Sequence, residues 1–146
     1  MDRIVQSWKA IVLHGNNCFE QARWYDAQAY YISAIEQLEG LWLYDKQNPQ
    51  LMIAWVAVMH NLSSLHEKMG RSKAAFQPLM QSYKTIMALY RDKSLDEEFQ
   101  FSVMRAARTC LMPLLEFSKK NPICDCCKAS LEASWQELQS QKNVLH

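Results

Sequence analysis

Apolar residues recur at steps of three and four along most of this chain, the spacing that lines one face of a helix. Ile4, Trp8, Ile11, Gly15 and Cys18 form the first such row. They predict a helix over about residues 3–21, with Asp2 as its N-cap. A second helix is expected over about residues 25–44. Residues 45–48 break the pattern, and Asn48-Pro49 is a strong helix start: a capping side chain, then a residue whose missing N–H costs nothing in the first turn. The third helix carries Leu51, Trp55, Val58, Leu62 and Leu65 on one side, to about Met69. Gly70 is placed to close it in a left-handed conformation.

Ser72 is the expected cap of a fourth helix, running to about Tyr90 and slightly bent by Pro78. Ser94 and Glu97 have capping-box spacing and predict a fifth helix over about residues 95–119. Pro113 should kink it, because proline removes a hydrogen bond and crowds the preceding turn. Asn121-Pro122 repeats the Asn-Pro signal and is read as opening a sixth helix, in which Cys127, Leu131, Ser134 and Leu138 alternate small and large beside Trp135. The expected fold is all-α: six helices in three antiparallel hairpins, at about 3–45, 49–91 and 95–142, within a single domain over residues 1–146.

An internal echo ties the hairpins together. Ala27, Tyr31, Ala34, Leu38 and Leu41 recur 48 residues later as Ala75, Leu79, Ser82, Ile86 and Leu89. Gly15 and Ala22 recur as Ser63 and Gly70. Small residues alternating with large ones along one stripe let two helices approach closely, and repetition at a fixed period is the signature of stacked helical hairpins.

Composition agrees. Apolar residues make up 49% of the chain while only three glycines and four prolines interrupt it, which favours long helices over a turn-rich β fold. Sixteen basic and fifteen acidic residues leave a net charge of +1, and no Lys/Arg run is long enough to follow a phosphate backbone, so nucleic acid is excluded as the expected partner. Met1-Asp2-Arg3 leads into an amphipathic segment, and no stretch approaches the roughly 20 apolar residues of a membrane span, so no membrane association is expected. Five cysteines, three of them crowded at Cys124, Cys126 and Cys127, do not make a secreted disulfide framework. A cytoplasmic location with reduced thiols is expected.

Two segments carry a recognisable pattern. One is Leu13-His14-Gly15 followed by Phe19, Ala22, Tyr25, Ala27, Tyr31 and Ala34; the other is Asn61-Leu62-Ser63-Ser64-Leu65 followed by Gly70, Ala75, Leu79 and Ser82. Both resemble the tetratricopeptide repeat, with small residues where paired helices touch and at the turn. The third hairpin matches only in its second helix. The usual period is about 34 residues, so the chain looks like a long-helix variant, similar to small uncharacterised bacterial families with this fold. The resemblance implies a right-handed superhelix that binds proteins or peptides, without enzymatic activity or a cofactor.

In that family the first helix of each hairpin lines a concave groove. Carried over by position, the groove face comprises Lys9, Val12, Leu13, Asn16, Phe19 and Glu20 from the first hairpin. It continues with His60, Asn61, Ser64, Glu67 and Lys68 from the second, and Arg105 or Arg108 from the fifth helix. Asn16 and Asn61 fall where one subclass of the family grips a C-terminal carboxylate, although Val12 stands where that subclass has lysine. The competing reading is that both asparagines are ordinary polar residues on a solvated face. A peptide, a helix or another subunit is the expected ligand. A sensor of a small ligand or signalling peptide is an alternative.

The sharpest local chemistry is Cys124-Asp125-Cys126-Cys127. Cys124 and Cys127 have the spacing of a redox pair or half a zinc site, which makes a thiol-based metal or redox module the runner-up function. Against it, no second Cys-x-x-Cys exists, and Cys124 and Cys127 lie in helical step with Leu131, Trp135 and Leu138. That spacing favours burial as small hydrophobes, with Cys126 exposed. Phosphate-binding glycine loops, nucleophile elbows and paired-histidine metal motifs are absent. His14 and His66 fall on helix-packing positions. The second helix is dense in aromatics, with Trp24, Tyr25, Tyr30, Tyr31, Trp42 and Tyr44, more than two neighbouring helices can cover. A homodimer through that helix is therefore a further expectation.

Overall fold

The 48-residue echo becomes two helical hairpins closed by the same turn. The computed structural model describes residues 7–144, with side chains over 7–140. Its helices are α1 (Trp8–Glu20), α2 (Trp24–Tyr44), α3 (Pro49–Lys68), α4 (Ser72–Tyr90), α5 (Glu97–Lys120) and α6 (Asp125–Val144). No strand occurs among the described residues, as the sequence pattern predicts. The chain divides into two compact units, one through Pro78 and one from Leu79. The beginning of α4 thus belongs to the first unit and its remainder to the second.

In the first unit α2 packs against both α1 and α3. Its stripe Ala27, Tyr31, Ala34 and Leu38 is fully buried, but Leu41 is exposed, so the stripe ends before the helix does. Gly15 on α1 sits against the ring of Tyr31, whose hydroxyl donates to Asn16 Oδ1 at 2.6 Å. Ser63, the residue equivalent to Gly15, is buried on α3, and its hydroxyl donates to the carbonyl of Ala75 at 2.7 Å. The same sequence position thus brings helices together by two means: absence of a side chain in one hairpin, a satisfied small hydroxyl in the other.

The turns match bond for bond. Ala22 (φ 60°) and Gly70 (φ 72°) both take the left-handed conformation. Arg23 N–H donates to the Cys18 carbonyl at 2.8 Å and Arg71 N–H to the His66 carbonyl at 2.9 Å, each bond spanning the reversal. Ala22 N–H reaches Phe19 O and Gly70 N–H reaches Glu67 O. This is the double closure that satisfies the last carbonyls of a helix at a left-handed residue.

Other boundaries differ from the sequence reading. α1 begins at Trp8, because Ser7 is extended and its Oγ accepts from Ala10 N–H at 3.4 Å; Asp2 and Ile4 lie outside the described residues. Asn48 does cap α3, accepting from Leu51 N–H at 3.1 Å, with Pro49 in the first turn. Ser72 is the first residue of α4 and not its cap, since the carbonyl of Arg71 already receives Ala75 N–H. The Ser94–Glu97 capping box does not form: Asp92 captures both the amide and the hydroxyl of Ser94, and α5 starts later, after Asp96. Asn121 ends α5 where a start was expected, donating from its amide to the Phe117 carbonyl, and α6 begins only at Asp125. α4 and α5 continue through Pro78 and Pro113.

The second unit packs α5 against α6 and joins both to α4. Ile86, Met87, Val103, Ala107, Leu111, Leu114, Leu131 and Leu138 are fully buried. Polar groups in this core are met unevenly: the Tyr83 hydroxyl meets the buried Ser134 hydroxyl at 2.5 Å and the Ser82 hydroxyl donates to the Leu79 carbonyl at 3.0 Å, whereas the buried Tyr90 hydroxyl has no hydrogen-bond partner. The tryptophans divide unevenly. Trp55 is buried in the first unit, 5.4 Å from the ring of Trp42, and its indole N–H donates to Glu39 Oε2 at 3.1 Å. Trp135 is half-buried on α6. No helix among the described residues is long and apolar enough to cross a membrane.

Two outcomes follow from the packing. Ala22→Gly removes the steric cost of a Cβ at positive φ and should raise stability by about 1 kcal/mol, while Gly70→Ala should lower it by a similar amount. Thermal melts of the two variants check this, and shifts of the same sign would contradict it. In Gly15→Ala the new Cβ would lie 2.7 Å from Tyr31 Cε1 and 3.3 Å from Tyr30 Cβ. Tyr31 is buried and tethered through its hydroxyl, so the ring cannot swing aside. A loss of about 1–3 kcal/mol in denaturant unfolding is expected.

Candidate functional site

The first helix of each matched hairpin carries the residues expected to bind. On α1, Lys9, Leu13 and Glu20 are exposed, and Val12, Asn16 and Phe19 are half-buried. The Oδ1 atom of Asn16 is engaged by Tyr31, so its amide N–H groups are the end that a ligand carboxylate would meet. Phe19 packs edge-on against Trp24, 5.5 Å between ring centroids, and so belongs partly to the turn. On α3, His60 and Asn61 are half-buried, and Ser64, Glu67 and Lys68 are exposed.

Two large apolar side chains lie among these polar ones: Leu13 is 63% exposed and Ile53 55% exposed. Ile53, Ala57, His60 and Ser64 follow each other at three- and four-residue steps, so one face of α3 runs from an aliphatic to a polar end. Ile53 lies off the buried row of α3, so the apolar periodicity that marks the core does not single it out. The α-helical step back from His60 through Ala57 would have found it. The outer surface of α2 is also apolar in part, with Tyr25, Ile32, Leu43 and Tyr44 exposed. Tyr25 is not idle: Arg71 Nη2 donates to its hydroxyl at 3.1 Å and the guanidinium lies over its ring.

The arginines lie in the second unit. Arg105 is exposed on α5. Arg108 is half-buried and its Nη2 donates to the carbonyl of Leu138 on α6 at 3.5 Å.

The cysteine cluster departs most from expectation. Cys124 is exposed and Cys127 half-exposed, so neither belongs to the buried row that continues through Leu131, Ser134 and Leu138. Later onset of α6 is the reason. Cys124 stands just before the helix, where its carbonyl receives Lys128 N–H at 3.0 Å and its Sγ receives Cys127 N–H at 3.2 Å. The thiol of Cys127, its amide and the amide of Cys126 hold the Cys124 thiol below the usual thiol range, against opposing effects of partial desolvation and the Asp125 carboxylate. Cys127 is held above that range, chiefly by the neighbouring Cys124 thiol, with Lys84 pulling the other way. Cys126 is exposed, as expected. Cys18 and Cys110 are buried, and burial pushes the Cys110 thiol up to about 12. Among the described residues no group of three or more His, Cys, Asp or Glu side chains is arranged to hold a metal ion.

His60 Nε2 and His66 Nδ1 are buried without a hydrogen-bond partner, and loss of hydration lowers the pKa of both imidazoles; the nearby Arg71 charge adds to the effect on His66. Both therefore stay neutral in the fold at pH values where the unfolded chain takes up protons, below about pH 6.5. Their contribution to stability is complete above that value, falls as pH drops through it, and levels off below the depressed folded-state values. Melting temperature should fall between about pH 7.5 and about pH 5.5, with a shallower slope in His60→Gln. A flat profile in the parent protein would contradict the burial of these rings.

No curated protein and no solved structure matches this chain. The model of one family, described as protein of unknown function (DUF2753), matches residues 6–145, which takes in all six helices, and the chain belongs to that family.

Proposed function

We propose that this protein is a non-enzymatic, tetratricopeptide-like interaction module that binds a peptide or helix along the exposed faces of α1 and α3. The observation that carries this reading is the pairing of exposed aliphatic side chains, Leu13 and Ile53, with amide, hydroxyl and imidazole groups on the same helices. Apolar contact supplies affinity, and the side chains of Asn16, His60, Asn61 and Ser64 supply direction by hydrogen bonding. The tetratricopeptide-like assignment draws support from the two turns repeating at 48 residues, with Gly15 and Ser63 at equivalent close approaches. Preformed helices lose little entropy on binding, which favours recognition without rearrangement. Arg105 and Arg108 lie in the second unit and are not part of this face.

Affinity capture from native lysate, comparing the parent with Leu13→Asp/Ile53→Asp and with Asn61→Ala, tests the proposal. Asn61→Ala is preferable to Asn16→Ala alone, because the latter also strips the buried Tyr31 hydroxyl of its acceptor. A partner retained by the parent and reduced at least tenfold by the aspartate pair is expected, with circular dichroism unchanged. Equal capture by the parent and both variants would overturn the assignment of these faces.

A further inference from the structure

Three of the five cysteines stand together at the start of α6, and nothing in the proposed peptide-binding reading uses them. Their arrangement is not that of surface thiols placed at random. Cys124 and Cys127 stand one helical turn apart across the start of α6, and the Cys127 amide N–H donates to the Cys124 sulfur at 3.2 Å. Cys124 is exposed and Cys127 half-covered, so a reagent would meet Cys124 first. The two remaining cysteines are buried in separate units, Cys18 in the first and Cys110 in the second, remote from exchange chemistry.

We propose that Cys124 and Cys127 form a dithiol–disulfide exchange site that reduces an accessible disulfide by two electrons. Cys124, as thiolate, attacks one sulfur of the substrate disulfide. A mixed disulfide forms and the substrate's other half leaves as a thiolate. Cys127 then gives its proton to solvent and its sulfur attacks Cys124 Sγ. The Cys124–Cys127 bond forms, the bond from Cys124 to substrate breaks, and the second substrate thiolate departs. One substrate disulfide has become two thiols, while the protein's two thiols have become one disulfide. The protons released from the two cysteines balance those taken up by the products. The amides at the start of α6 stabilise the attacking sulfur, and the closeness of Cys127, whose own amide reaches that sulfur, shortens the lifetime of the mixed disulfide.

Glutathione disulfide is the probe. The full chain is equilibrated in buffers of graded glutathione to glutathione disulfide ratio, quenched in acid, alkylated and analysed by intact mass and peptide mapping. The parent is expected to lose two hydrogens per chain without gaining an adduct, with Cys124 and Cys127 found in one disulfide. Cys127→Ser should instead accumulate glutathione on Cys124, and Cys126→Ser should behave as the parent. Iodoacetamide labelling supplies a second measurement: the pH midpoint at Cys124 should lie below that of an ordinary thiol, about 8.5, and rise in Cys127→Ala. Stable glutathione adducts on the parent, a bond that uses Cys126, disulfide-linked pairs of chains, or a midpoint unmoved in Cys127→Ala would each overturn the proposal. None of these results depends on the faces of α1 and α3.

Discussion

How closely two helices lie is set by the smallest residue between them, and in the first unit that residue is Gly15. Tyr31 occupies the space a side chain would take, and its hydroxyl then lands on Asn16, one residue further along α1. One contact therefore fixes separation, axial register and a polar pairing at once. Ala27 is fully buried in the first turns of α2, and the reversal before it demands a left-handed residue at position 22. Disturbing Gly15 would disturb each of these together, because the ring of Tyr31 is held at both ends.

The reversal between paired helices is met differently at its two occurrences. Gly70 adopts positive φ without steric conflict, whereas Ala22 adopts it against the preference of an L-residue. The hydrogen bonds across the turn are equally short in both, so the strain at Ala22 is borne by its backbone angles and does not open the turn. Arg71, immediately after Gly70, returns to Tyr25 at the start of α2. Successive hairpins in this unit are thereby joined at their turns as well as in their cores.

Helix count, helix type and the buried stripes were legible from period alone, because Ala27, Tyr31, Ala34 and Leu38, and again Ala75, Leu79, Ser82 and Ile86, leave no competing face to bury. Caps were legible only where no nearby group competed. Asn48 precedes a proline and has the Leu51 amide within reach. Ser94 has the right spacing to Glu97, but Asp92 is nearer in sequence and takes its hydroxyl first. Asn121 carries an amide able to serve either end of a helix, and here it donates back to the carbonyl of Phe117. The late start of α6 then moved Cys124 from a helical face to a cap, which helical spacing could not foresee. The candidate binding residues were found as types on helices. Their partners were not: that Tyr31 would claim the oxygen of Asn16, or that the imidazole of His60 would be buried with an unmatched nitrogen, depends on packing across helices.

The uneven distribution of indoles gives each half of the molecule its own optical signature. Trp55, shielded from water, bonded to a carboxylate and in van der Waals range of Trp42, places a coupled pair of chromophores inside the first unit. Trp135 is the one indole of the second. Four of the five indoles belong to the first unit, so indole emission and near-ultraviolet dichroism report chiefly on that unit. Trp135 is the internal dye for the other half.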